Sequence, residues 1–107
     1  GQDATVEGLQ RIVIGTQGQT VLKDFRLQAT AAARIAAALL KGGRCPTTLC
    51  SKKVANGAGN VPSVILPVRS IDRTNITPLV NSNWLPSVFR TTKAKFCKGL
   101  PKRGPCR

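Results

Sequence analysis

The hydrophobic positions of this chain change period several times, and each change suggests an element. Over residues 11 to 25, "RIVIGTQGQTVLKDF" places β-branched residues on both sides of a Gly/Gln-rich break, a pattern that predicts a hairpin. A competing helical period exists in the same region. Val6, Leu9 and Val13 fall on one helical face, and Val21, Phe25 and Ala32 would extend the following helix upstream, so a helix pair is the rival reading for residues 5 to 28. Residues 29 to 43, "ATAAARIAAALLKGG", predict a helix more strongly, because alanine is the best helix former. Lys41 suits its C-terminal end, and Gly42 or Gly43 can take the left-handed cap. Its packing stripe is expected to be Ala32, Ile35, Ala36, Leu39 and Leu40.

The middle of the chain is punctuated by Pro46, Pro62, Pro67 and Pro78, with Gly57 and Gly59, so residues 44 to 60 and 70 to 82 read as loop-rich. Between them "VPSVILPVRSI" predicts an edge strand, with Val64, Leu66 and Val68 on one face and Ile65 on the other. "SNWLPSVFRTTKAKFCKG" then predicts a helix ending at Gly99, in which Leu85, Phe89, Thr92 and Phe96 share a face. The expectation is an α+β fold, a small single domain stabilised by disulfides. It would have an N-terminal hairpin, an Ala-rich helix, a short central strand region and a basic C-terminal helix, with a mainly α fold as the alternative. Residues 93 to 107 form a basic, cysteine-bounded tail.

Composition alters this picture in charge, not in core. Hydrophobic residues make up 41% of the 107 residues, which is ordinary for a globular domain, yet Lys plus Arg outnumber Asp plus Glu by 17 to 4. Seven of the 17 cations, Arg90, Lys93, Lys95, Lys98, Lys102, Arg103 and Arg107, fall in the last 18 residues without an acid among them. Lys41, Arg44, Lys52 and Lys53 form a second group. These groups, the tail cations with Lys52 and Lys53 above all, are expected to bind anionic surfaces, such as acidic lipid or sulfated glycan, or an acidic receptor.

Four cysteines in a short basic chain point to an oxidising compartment and two disulfides. The local pairs Cys45 with Cys50 and Cys97 with Cys106 are preferred, since each closes a short proline-containing loop. Structural zinc is disfavoured because the spacings are wide and no histidine is present, and no metal or cofactor is expected. Asn75-Ile76-Thr77 fits the N-glycosylation sequon. The first residues, GQDATVEG, resemble neither region of a signal peptide, as expected of a processed mature chain, and the longest apolar stretch is too short to span a bilayer.

The missing residues narrow the chemistry. Without histidine there is no Ser-His-Asp or Cys-His arrangement, and the four carboxylates, Asp3, Glu7, Asp24 and Asp72, form no recognisable pair in sequence. "NGAGNVP" lacks the glycines and lysine of a nucleotide fingerprint and reads as a turn. A non-enzymatic protein is therefore expected. Its leading function is a secreted cationic defence or cytotoxic protein, antimicrobial or killer-toxin-like, acting on anionic cell surfaces. A cytokine- or growth-factor-like extracellular ligand for heparan sulfate or an acidic receptor is the first alternative. A nucleic-acid-binding protein is the second, weakened by the scarcity of aromatic stacking platforms.

Overall fold

The structure, a computed structural model, describes residues 1–107 as an α+β fold with five short to medium α-helices, two two-stranded sheets and two disulfides. The chain divides into two units, Gly1–Lys23 with Val68–Arg107, and Asp24–Pro67.

In the first unit, helix α1 (Val6–Ile14) begins at Thr5, whose hydroxyl accepts from the Gly8 amide, and ends at Gly15 in the left-handed region, with φ 102°. The rival helical period is the one the chain follows here: Leu9, Ile12 and Val13 are buried. The predicted hairpin is not formed, because Arg11–Ile14 belong to the helix. Strand β1 (Gln19–Leu22) pairs antiparallel with the distant strand β4 (Arg69–Asp72), aligning Thr20 with Ile71 and Leu22 with Arg69. A hairpin would have satisfied the same strand locally. The helical stripe of α1 instead leaves β1 to take a partner from the far end of the sequence.

Helix α3 (Ile76–Asn81) replaces part of the loop expected over residues 70 to 82, burying Ile76, Leu79 and Val80. The helix expected over residues 82 to 99 is broken in two, α4 (Trp84–Phe89) and α5 (Lys93–Phe96). The break is at Arg90, which adopts φ 51°, while Thr92 starts a new helix by accepting from the Lys95 amide. Leu85 and Phe96 are fully buried as the predicted face requires, whereas Phe89 is only partly buried. A single turn of 3-10 helix (Gly104–Cys106) returns the chain to α3. Its Cys106 is bonded to Cys97, with an S–S distance of 2.00 Å, and both sulfurs lie in or against the apolar core. That core joins Leu9, Ile12, Ile71, Ile76, Leu85 and Phe96, all essentially inaccessible.

In the second unit, helix α2 (Phe25–Gly42) is capped by Asp24, which accepts from the Arg26 amide, and by Gly43 at φ 71°. None of its residues is buried. The expected packing stripe is therefore corrected: Ala32, Ala36, Leu39 and Leu40 are exposed, and the partly covered line is Ala31, Ile35 and Ala38. Alanine propensity and two good caps are enough to form the helix without a buried face. Strands β2 (Lys52–Ala55) and β3 (Asn60–Ser63) make a true hairpin, in which β2 falls in the region read as loop and β3 in the start of the expected strand. Its turn is the "NGAG" stretch, where the Asn56 side chain accepts from the amides of Ala58 and Gly59 and Gly57 takes φ 88°. The predicted strand accordingly shrinks to β3 and β4, and Val64, Ile65, Leu66 and Val68 lie in neither. Cys45 and Cys50 are joined at an S–S distance of 2.02 Å.

Candidate functional site

The backbone departs most from ordinary geometry at the entrance to α1. Asp3 and Ala4 have φ 72° and 45°, consecutive non-glycine residues in the left-handed region. Each such residue costs on the order of 1–2 kcal/mol, and strain of this kind collects at ligand sites. Three contacts over-determine it. The Asp3 amide donates to Val21 O at 2.8 Å, the Val21 amide donates to Gly1 O at 3.0 Å, and the buried Ala4 amide donates to the Thr20 hydroxyl at 3.2 Å. The Ala4 methyl is inaccessible, so the turn is anchored from beneath.

What the turn presents is polar and exposed. The Asp3 carboxylate lies 3.0 Å from Lys23 Nζ, which also donates to Gln2 Oε1 at 3.1 Å. The Gln17 side-chain carboxamide donates from Nε2 to Gln19 O at 3.0 Å and lies close to Gly1 and to Gly8. A carboxylate, an ammonium group and two carboxamides thus gather on one rigid corner. Sequence reasoning treated Asp3 only as one of four scattered acids. The available signal was its place two residues before a helix-capping threonine; its positive φ was not readable.

Two acids away from this corner, Asp72 and Asp24, are shifted for local reasons. Asp72 is held below the usual carboxylate range chiefly by hydrogen bonding from the Thr74 hydroxyl, with the Thr74 amide adding to it. Asp24 is likewise lowered, first by the Arg26 side-chain hydrogen bond.

Within the first unit the sequence-predicted cations of the tail do not all line one groove. Lys93, Lys98, Lys102 and Arg107 line an open groove of ≈ 720 Å³ beside the Cys97–Cys106 disulfide. Arg90 and Lys95 are exposed but outside that lining, and Lys52 and Lys53 are exposed on β2 of the other unit. Arg103 turns inward and donates to Ile14 O. The Asn75 carboxamide is engaged within its own loop, accepting from the Asp72 amide and donating to Ser70 O. No cluster of metal-ligating side chains is present.

Comparison with known proteins overturns the functional expectation. No protein-family model matches the chain. It is 40% identical over 82 residues to the D-xylose-binding periplasmic protein of Escherichia coli K12, an alignment covering 75% of this chain and 23% of that protein. It is 33% identical over 75 residues to the multiple sugar-binding periplasmic receptor ChvE of Rhizobium radiobacter, covering 70% of this chain and 21% of the receptor. Among solved structures, a carbohydrate transporter solute-binding protein from Chloroflexus aurantiacus, in complex with D-glucose, superimposes with a TM-score of 0.68. It is 34% identical and is matched over 78% of this chain and 24% of that one. A second, an ABC transporter solute-binding protein from Clostridium phytofermentans with bound β-D-glucose, has a TM-score of 0.65 at 28% identity, over 90% of this chain and 28% of that one.

The chain thus spans about a quarter of the length of the proteins it resembles. Its likeness is to sugar-binding periplasmic proteins and to solute-binding proteins holding glucose, which contradicts the defence, toxin, cytokine-like and nucleic-acid readings and the assignment of anionic surfaces or acidic receptors as partners. The physical reason for the error is that net charge fixes long-range attraction, not the geometry of a site. No helix is long and apolar enough to cross a membrane.

Proposed function

We propose that this chain is part of an exported carbohydrate-binding protein, that it holds a monosaccharide without altering it, and that the Gly1–Ala4 corner supplies contacts to the sugar. The observation that carries the reading is the 40% identity to a D-xylose-binding periplasmic protein over 75% of the chain. The chemistry of the corner agrees with it. Sugar hydroxyls are donors and acceptors at once, so they are matched by a carboxylate that accepts, an ammonium that donates and carboxamides that do both. Asp3 takes the acceptor role toward adjacent hydroxyls, and Lys23 and Gln2 orient it. The left-handed turn fixes Asp3 before the ligand arrives, which lowers the ordering cost of binding. Binding requires no acid–base pair, consistent with a chain that has no histidine.

The test is saturation-transfer NMR of the chain with D-xylose and D-glucose. Transfer to ring protons, competition between the two sugars and recovery of both unchanged are expected. Asp3→Asn should weaken binding at least tenfold, because a carboxamide offers one acceptor oxygen where the carboxylate offers two. Absence of transfer at millimolar sugar, or an Asp3→Asn chain that binds as well as the parent, refutes the assignment.

A further inference from the structure

Three arginines border one small cavity in the first unit, and no acidic side chain lines it. The cavity encloses ≈ 300 Å³, with Val13, Ile76 and Pro105 as apolar walls and Arg73, Arg103 and Arg107 around them. The ion pairs of the chain are Lys23 with Asp3 and Arg26 with Asp24, so these guanidinium groups have no acidic partner. Arg103 donates from Nη2 to Ile14 O at the C-terminal end of α1, but its Nε is buried and has no acceptor. Arg73 approaches the same place. A Cβ built on Gly15 would lie 2.5 Å from Arg73 Nη2 and 3.6 Å from Arg103 Nη2, so two guanidinium groups converge on this glycine.

The end of α1 partly offsets this arrangement, since helix C-terminal carbonyls carry partial negative charge. One carbonyl and a helix end do not balance converging full cations. A buried N–H without an acceptor is unfavourable, and in native proteins it usually points to an absent partner. Guanidinium forks match oxyanions bidentately, as planar carboxylate or as tetrahedral phosphate or sulfate. We infer that this cavity is a binding site for one small oxyanion, seated between Arg73 and Arg103, with the Arg103 Nε–H as a donor. Arg107 also lines the cavity, and Gly15 leaves the space in which Arg73 reaches the anion.

This is a discrete site for a single ion and differs in kind from adhesion to charged surfaces. It is independent of the sugar-binding corner at Asp3, and its test can succeed or fail separately. The experiment follows the Arg103 Nε–H resonance of the full chain by NMR during titration with sodium phosphate, sodium sulfate and sodium acetate, with ionic strength held constant by sodium chloride. A saturable downfield shift of that resonance is expected with at least one of the three. Phosphate or sulfate alone would assign a tetrahedral ligand, acetate alone a planar carboxylate, and both a site for either geometry. Arg73→Gln, which removes an exposed side chain without a recorded hydrogen bond, should weaken the binding at least tenfold. Lys52→Gln, the same change of charge on the other unit, should leave it unchanged. Arg103→Gln removes the contact to Ile14 O as well, so Arg73→Gln is the deciding variant. Shifts that stay linear with concentration, or equal affinities in the parent, Arg73→Gln and Lys52→Gln chains, would overturn the inference.

Discussion

Replacing Cys97 and Cys106 together by alanine tests whether the basic tail is a structural part of the first unit. The two residues are separated by 9 in sequence, and the chain-entropy relation for a loop of that length gives about 2.6 kcal/mol. Cys106 adds a packing contribution, because it is only 4% exposed and belongs to the apolar core. Losing its sulfur to a small cavity costs about 1 kcal/mol more. The expected total is therefore about 3–4 kcal/mol, a large share of the roughly 5–15 kcal/mol that stabilises a typical domain. Trp84, the sole tryptophan, is buried in the same unit and stacks edge-on against Phe89 at 5.1 Å, so its fluorescence reports unfolding there. For a unit of this size a urea slope of about 1–1.5 kcal/mol per molar converts the loss into a midpoint lower by roughly 2–4 M. The matching change at Cys45 and Cys50 opens a shorter loop, of separation 5, in the other unit and should move the Trp84 transition far less. A midpoint that moves by less than about 0.5 M on loss of Cys97 and Cys106 would refute the reasoning, since it would mean that the tail is held without its crosslink.

The remaining predictions concern single side chains. Phe96→Ala empties a fully buried site, and its stability loss in urea denaturation should be roughly 3–5 kcal/mol. Thr5→Ala removes the N-cap of α1 and should cost about 1 kcal/mol in the same assay. The Arg26 side-chain hydrogen bond holds the Asp24 carboxyl below its ordinary range, so its stabilising effect is complete above the unfolded pKa and disappears as pH falls through the folded one. The far-UV helical signal should therefore decline below pH ~4, and Asp24→Asn should remove part of that acid-side change.

What the sequence made legible was mostly local. The Ala-rich run from residue 29 to Gly43 declared α2 through propensity and its C-terminal cap, although nothing in the run revealed that its apolar side would stay uncovered. Ile12, Val13 and Ile14 drew a strand reading through their β-branching, while their spacing from Leu9 carried the helix that formed. The partner of β1 was not visible because Thr20 pairs with Ile71, a choice made by three-dimensional packing. The break at Arg90 was equally hidden, since Leu85, Phe89, Thr92 and Phe96 maintain a helical period straight across it. At the candidate site, Asp3 is distinguished by a dihedral angle, not by its residue type. The abundant lysines and arginines drew attention toward charge for the opposite reason: they are conspicuous in a sequence whatever they contact.

The pairing of Leu22 with Arg69 also sets an order on the birth of the molecule. On a ribosome the first helix and its strand emerge before the residues that cover them have been made. At 5–20 residues per second, the intervening stretch occupies roughly 2–10 s. For that interval Leu9, Ile12 and Val13 lack Ile71, Ile76 and Phe96, the neighbours that complete their core. The Asp24–Pro67 unit, contiguous in sequence, can close its hairpin in the meantime. The nascent segment from Val6 to Leu22 is thus a client for whatever shields apolar helices during synthesis, and its vulnerability ends only after the strand beginning at Arg69 and the buried Phe96 beyond it have arrived.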